Sequence, residues 1–260
     1  MGQLTQASLS SPPFNEWFDA GADQYNPDGD FITRTRNLQD FEIEVFMGTW
    51  CGDSRREVPR LIKTLRALNF PEQQLSIVGV NRTTDQYKQS PNGEQAGKNI
   101  HRVPTIIFYR NGKEVNRIVE TPVTSIEEDI HTIVSGGEYE ANYPVVSKLE
   151  SLLANRPQRV TIEEAESIAQ ELKPLSINPA ELASYGYVEL YGNNIDKAAA
   201  IFEINRFLFP TEPLVYEALA ASYYHQRRYT EAGDHYRQVL ELDAGNDNAL
   251  KMLDEIASKQ

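Results

Sequence analysis

Every strong strand signal in this chain lies before a pair of glycines, Gly136 and Gly137, and none of comparable strength follows them. That asymmetry predicts a sheet-containing unit followed by an all-helical one. Before the pair, Phe41 to Gly48 (FEIEVFMG) and Leu75 to Val80 (LSIVGV) are short apolar runs rich in β formers. Between them, Ser54 to Leu68 places Val58, Leu61, Ile62, Leu65 and Leu68 on one helical face. A polar stretch from Asn81 to Asn99 follows, with Pro91, Asn92 and Gly93 marking a loop. Thr105 to Val119 is two apolar runs split by Asn111 and Gly112, a hairpin signal because that dipeptide accepts left-handed backbone at both turn positions. Ser125-Ile-Glu-Glu reads as a capping box opening a helix that runs to about Val134. The order β-α-β-loop-β-β-α predicts an α/β unit, a mixed sheet with flanking helices.

Past the glycines, Thr161 opens a second capping box, ahead of a helix that ends near Pro174. From Asn178 the chain repeats with a period of 34: Ala198 and Phe202 recur as Ala232 and Tyr236. Tyr216, Leu219, Tyr223, Tyr229, Ala232, Tyr236 and Leu240 fall at spacings that let two antiparallel helices interlock. This pattern resembles the tetratricopeptide repeat. Gly186, Ala198, Phe202 and Pro210 fit it in the first copy, but Glu189 stands where an aromatic is expected, and the second copy has Ala244 in place of the closing proline. Glu163 to Leu172 and Asn248 to Ser258 are expected as flanking helices that cover the ends of a short array. The expected division is 14–137 for the α/β unit, a linker at 138–160, and 161–260 for the tetratricopeptide-like helical unit.

A chain of 260 residues, 40% hydrophobic, is long enough for two modest cores. Its net charge of −13 disfavours nucleic acid and anionic membrane, which need a basic footprint, and points to protein or small-molecule partners. There is one cysteine, Cys51, so no internal disulfide can form, and His101, His131, His225 and His235 have no cysteine company for a zinc site. No metal is expected. The opening residues lack the basic and apolar regions of a secretory leader, and no later run approaches the ~20 apolar residues of a membrane span, so the expected location is cytoplasmic.

Cys51 lies where a strand signal gives way to a helix signal. A sulfur at a helix N-terminus faces free backbone N–H groups and the positive end of the helix dipole, which favours the thiolate. Ser54 is near enough in sequence to donate its hydroxyl to that sulfur; Arg55 and Arg56 add positive potential, and Asp53 opposes them. Trp50-Cys51-Gly52-Asp53-Ser54, with Pro59 eight residues after the cysteine and Val103-Pro104-Thr105 before a hairpin, resembles a thioredoxin-like domain across about residues 14 to 137. The resemblance implies that Pro104 is cis and lies against the sulfur. It also brings Arg102 near the thiol as a further stabilising group, and makes Trp50, Gly52, Val103 and Pro104 the groove for an extended substrate, which pairs with the Val103 backbone.

The departures from that family form a set. Ser54 replaces the second cysteine, while Val45 and Gly79 stand where a buried acid and a lysine are usual. All three belong to the resolution step. The step that survives is attack by Cys51 on a disulfide to give a mixed disulfide, which a thiol from elsewhere must release. Catalysis by Cys51 and Ser54 without a bound cofactor, with glutathione as a possible resolving thiol and protein clients held as mixed disulfides, is the first reading. A non-catalytic adaptor that uses the thioredoxin-like surface and the repeats for docking is the second, and a buried, inert Cys51 the third. Monothiol glutaredoxins hold an iron-sulfur cluster on a Cys-Gly-Phe-Ser turn; Asp53 interrupts that turn here, and no glutathione-binding signature follows.

Other residues read more plainly. Tyr185, Tyr187, Tyr191, Tyr223 and Tyr236 suit repeat packing better than a ligand cage. Arg227 and Arg228 are read as solvated residues at a turn rather than a carboxylate clamp. His101 is read as a surface residue rather than a titrating neighbour of the thiol. Gly93 and Gly97 form no phosphate-binding pattern.

Overall fold

A computed structural model describes residues 1–154 and 160–259. Residues 155–159 of the expected linker lie outside the described residues. The chain divides into two compact units, Met1–Asn142 and Tyr143–Gln260.

The first unit contains β1 (Gly2–Leu4), α1 (Gln6–Leu9), α2 (Asn15–Asp23), α3 (Gly29–Arg34), β2 (Glu42–Met47), α4 (Gly52–Ala67), β3 (Leu75–Gly79), β4 (Thr105–Arg110), β5 (Lys113–Val119) and α5 (Ile126–Ser135). The strands form one sheet in the order β1-β3-β2-β4-β5, with β2 and β3 parallel and the other pairs antiparallel. It is a mixed sheet, as the order of signals predicts. The unit reaches further back than residue 14, because β1 pairs with β3 (Gly2 opposite Gly79, Leu4 opposite Ile77). Three residues are too few to show a period, so this strand left no sequence signal.

Alternation along the strands sends side chains to two faces. Ile43, Val45 and Met47 of β2 enter the larger core with Val58, Leu61, Ile62 and Leu65 of α4, Phe18 of α2, Phe31 of α3 and Ile130 of α5. Phe46 points the other way, into a smaller cluster with Val78, Val80, Ile100, Val103 and Ile107. The hairpin turn has Asn111 and Gly112 at φ 53° and 71°, as its composition requires. Ser125 caps α5 by accepting the Glu128 N–H, but the reciprocal half of the box is missing, since the Glu128 carboxylate is drawn to Arg34. Asp129 instead ties down the entry, accepting from Val123 N–H at 2.7 Å, Thr124 N–H at 3.1 Å and Tyr139 O–H at 2.8 Å. At the sheet's outer edge Lys113, Glu114 and Val115 of β5 are exposed, and Arg117 pairs with Glu114 at 2.6 Å.

The second unit holds α6 (Pro144–Leu153), α7 (Ile162–Leu172), α8 (Pro179–Tyr191), α9 (Ile195–Leu208), α10 (Pro213–His225), α11 (Tyr229–Leu242) and α12 (Asp247–Ala257). Part of the expected linker is thus the helix α6. Its Val145, Val146 and Leu149 are buried with Ile168 and Leu172 of α7 and Tyr185 of α8, and burying such a side chain contributes about 1.5–3 kcal/mol. The capping box at Thr161 is complete. Helices α10 and α11 begin and end 34 residues after α8 and α9. Gly186 of α8 lets the Phe202 ring of α9 come so close that a Cβ there would lie 2.2 Å from it. Glu189 breaks the aromatic pattern because a charged group fills its place: the nearly buried carboxylate accepts from Asn194 at 2.7 Å and pairs with Lys197 at 3.0 Å. Among the described residues no helix is long and apolar enough to cross a membrane.

Candidate functional site

Cys51 is the N-cap of the 16-residue helix α4, with extended backbone (φ −89°, ψ 129°). Its N–H closes a turn on the Gly48 carbonyl at 2.9 Å, which carries the chain from the end of β2 to the start of α4. The thiol is partly exposed and donates to the Val103 carbonyl at 3.2 Å. The next peptide bond, Val103-Pro104, is cis. Fold and sequence separation matter here: sulfur and carbonyl are 52 positions apart in the chain, and the pairing of β2 with β4 brings them together.

Trp50 forms one wall. Its indole N–H donates to the Val80 carbonyl at 3.1 Å, and a Cβ at Gly48 would lie 2.6 Å from the ring, so glycine is required there. Trp50 and Cys51 both pack against the smaller cluster around Phe46 and Val103. Gly52 has open space above its Cα.

Ser54 stands differently from expectation. It is fully buried, and its hydroxyl oxygen accepts the Gly48 N–H at 3.2 Å rather than bonding the sulfur, so it fixes the turn before the thiol. Arg55 is also engaged in scaffolding: it donates to the Thr49 carbonyl at 2.6 Å and lies 5.6 Å from the centre of the Trp17 ring. Arg56 bridges Asp53 at 2.8 Å and Glu57 at 2.5 Å, which offsets the charge it presents to its surroundings. Arg102 adjoins Val103 in the chain and faces Glu120, 3.6 Å away, with both side chains about four-fifths covered. Val45 is fully buried in the larger core, and Gly79 closes β3 beside Met47.

His101 is not a surface residue. It is 4% exposed, its Nδ1–H donates to the Asn99 carbonyl at 3.1 Å, and burial pushes its pKa down to about 3. The imidazole is neutral in the folded protein. Beside it, Lys88 is 3% exposed, donates to the His101 carbonyl and lies 4.5 Å from the centre of the Tyr87 ring; burial lowers its pKa. Sequence reasoning passed over Lys88 and Glu120. Lys88 lies in polar company and Glu120 just past the end of β5, places where a charged residue reads as solvated, and the left-handed backbone that each adopts (φ 55° and 66°) is displayed by no sequence.

The helical unit's aromatic residues go into packing. Tyr185 and Tyr236 are buried, Tyr223 stacks on His235 with ring centres 5.3 Å apart, and Tyr187 stacks on Tyr191 at 6.1 Å. Arg228 bonds Glu231 at 2.8 Å and lies 4.4 Å from the centre of the Tyr223 ring. A cavity of about 800 Å³ is lined by Glu150, Asn194, Lys197 and Gln226, and its lysine is already neutralised by Glu150 and Glu189, each at 3.0 Å.

Two features around Cys51 suit a nucleophilic thiol, partial exposure and a helix N-terminus; an apolar cluster and the Val103 carbonyl, which accepts its S–H, complete the surroundings. No family model matches the chain, and no curated protein matches it either.

Proposed function

We propose that the protein carries out thiol-disulfide exchange through Cys51, as a monothiol, thioredoxin-like protein whose tetratricopeptide-like helices select the client. The observation that carries this reading is the partly exposed sulfur at the N-cap of α4, held 3.2 Å from the Val103 carbonyl. In the reaction the Cys51 sulfur, as thiolate, attacks one sulfur of a client disulfide. The Cys51–client bond forms as the old S–S bond breaks, and the other client sulfur leaves as a thiolate. Because the chain holds no second cysteine, a small thiol such as glutathione, as thiolate, then attacks the client sulfur of the mixed disulfide: a glutathione–client disulfide forms as the Cys51–client bond breaks, and Cys51 leaves as a thiolate. Ser54 and Trp50 act as positioning residues in this scheme, Ser54 through Gly48 and Trp50 as a wall of the groove.

The test is catalysis of exchange between a glutathionylated peptide and free glutathione. We expect turnover by the wild type, none above background by Cys51→Ser, and capture of the peptide disulfide by folded Cys51 at least about tenfold faster than by the urea-unfolded chain, since only the fold activates the thiol. Equal capture rates and no turnover would remove the enzymatic reading. The adaptor reading, favoured by the regular α8–α11 array, would then stand, with docking independent of the sulfur.

A further inference from the structure

The two arginines at the start of α4 are used differently. Arg56 is taken up by Asp53 and Glu57. Arg55 is exposed and, among the described residues, pairs with no carboxylate. Its Nε–H donates to the Thr49 carbonyl at 2.6 Å, and its guanidinium carbon lies 5.6 Å from the centre of the Trp17 ring. The remaining N–H groups, on the two terminal nitrogens, have no partner among the described residues.

Both ends of this side chain are placed relative to Cys51. The Arg55 backbone N–H donates to the Cys51 carbonyl at 3.0 Å, so the side chain starts one turn after the cysteine. It ends on the carbonyl of Thr49, two residues before the cysteine, and so runs back past Cys51. Gly52, a neighbour of Arg55 on the helix surface, leaves the approach open, with nothing within 4 Å of where a Cβ would stand.

We propose that Arg55 is a specificity-determining residue of the exchange site: its anchored guanidinium receives, on both terminal nitrogens, a carboxylate carried beside the disulfide that Cys51 attacks. Two sources supply that chemistry, an acidic residue next to the client's cysteine and the carboxylates of a glutathione moiety. In a chain of net charge −13 such a group is otherwise repelled. Held at Nε and lying against Trp17, the fork loses little freedom on binding, which a lysine in its place would. The inference rests on Cys51 being the reacting group of the exchange reading.

The experiment compares two chromogenic disulfides on the full-length protein, anionic dithiobis(nitrobenzoate) and neutral dithiodipyridine. With either one the Cys51 thiolate attacks one sulfur, a Cys51–probe disulfide forms, and the other half leaves as a coloured thiolate or its thione. Arg55→Gln should slow the anionic probe about fivefold, near the upper end for an exposed ion pair, and leave the neutral probe within about 1.5-fold, which also reports an intact turn. Arg55→Lys should stay at least about twofold slow with the anionic probe. Lys63→Gln, further along α4, should change neither rate. Pyridyl disulfides of a peptide with glutamate or glutamine beside its cysteine, and of glutathione or its diester, then identify the source: in the recognised pair only the acidic member slows in Arg55→Gln. Equal slowing of both small probes, full recovery in Arg55→Lys, an equal effect of Lys63→Gln, or no difference within either pair would overturn the proposal. Capture by Cys51 needs no resolving thiol, so a preference that depends on Arg55 without peptide turnover sinks the exchange reading alone, and turnover without that preference sinks this one alone.

Discussion

At the scale of single residues, burial decides protonation. His101 is enclosed in the loop that faces the thiol, and its pKa is pushed down to about 3 from an ordinary 6.5. The unfolded chain takes up this proton near pH 6.5, whereas the folded protein resists it, so between those values the unfolded state binds more protons. Stability that is fully present above pH 6.5 is therefore lost as pH falls toward the folded value, at up to about 1.4 kcal/mol per pH unit. We expect urea midpoints measured against pH to show this limb in the wild type and to flatten in His101→Gln; an identical slope in the variant would assign the limb to another group. The same burial explains why His101, Lys88 and Glu120 were not legible in the sequence. Their environments are made by residues far along the chain, and a local window around each shows no period that would place its side chain inside. Cys51 and Trp50 were legible because a strand signal, a glycine and a helix signal follow one another in a few residues. The role of Ser54 was half legible: its place in the first turn follows from spacing, but its partner, Gly48, is set by how tightly the turn closes.

At the scale of elements, close approach is what glycine and repeat spacing provide. Gly186 has its counterpart 34 residues on in Ala220, which faces the slightly different ring environment of Tyr236. Gly186→Ala would put a methyl carbon 2.2 Å from the Phe202 ring, so α8 and α9 must part. We expect a loss of about 1–3 kcal/mol in denaturant unfolding despite the better helix propensity of alanine, and a net gain in stability would show that the ring moves aside freely. Helix α4, the Asn111-Gly112 turn and the α8–α11 array were all readable, since each rests on a period or on local backbone preference. Helices α1 to α3 and strand β1 were not. They are short, and Leu9, Phe18 and Phe31 are buried in the larger core by segments distant in the chain, α2 against α4 and α3 against α5, rather than by a pattern of their own. The half-formed cap at Ser125 has the same cause, a distant arginine that outcompetes a local backbone group.

At the scale of the whole molecule, each unit has its own core: among the described residues no buried side chain of the sheet's clusters belongs to the helical ones. Fragments 1–142 and 143–260 should therefore each melt cooperatively when expressed alone, by circular dichroism, and a fragment with no transition would mean that its core is incomplete without the other. The break falls at Asn142, whose side chain donates to the Thr121 carbonyl at 2.8 Å and so fastens the end of the first unit to its own sheet. The outer strand β5 carries one more consequence. A strand with a free side is a template on which another chain can add itself, and long apolar ones seed aggregates. Here the register slips between Phe108 and Tyr109 of its neighbour, and Lys113, Glu114 and Arg117 crowd the rim with ions that a newcomer would have to desolvate. An extended chain that meets this rim is thereby discouraged from adding itself to the sheet and starting a fibril.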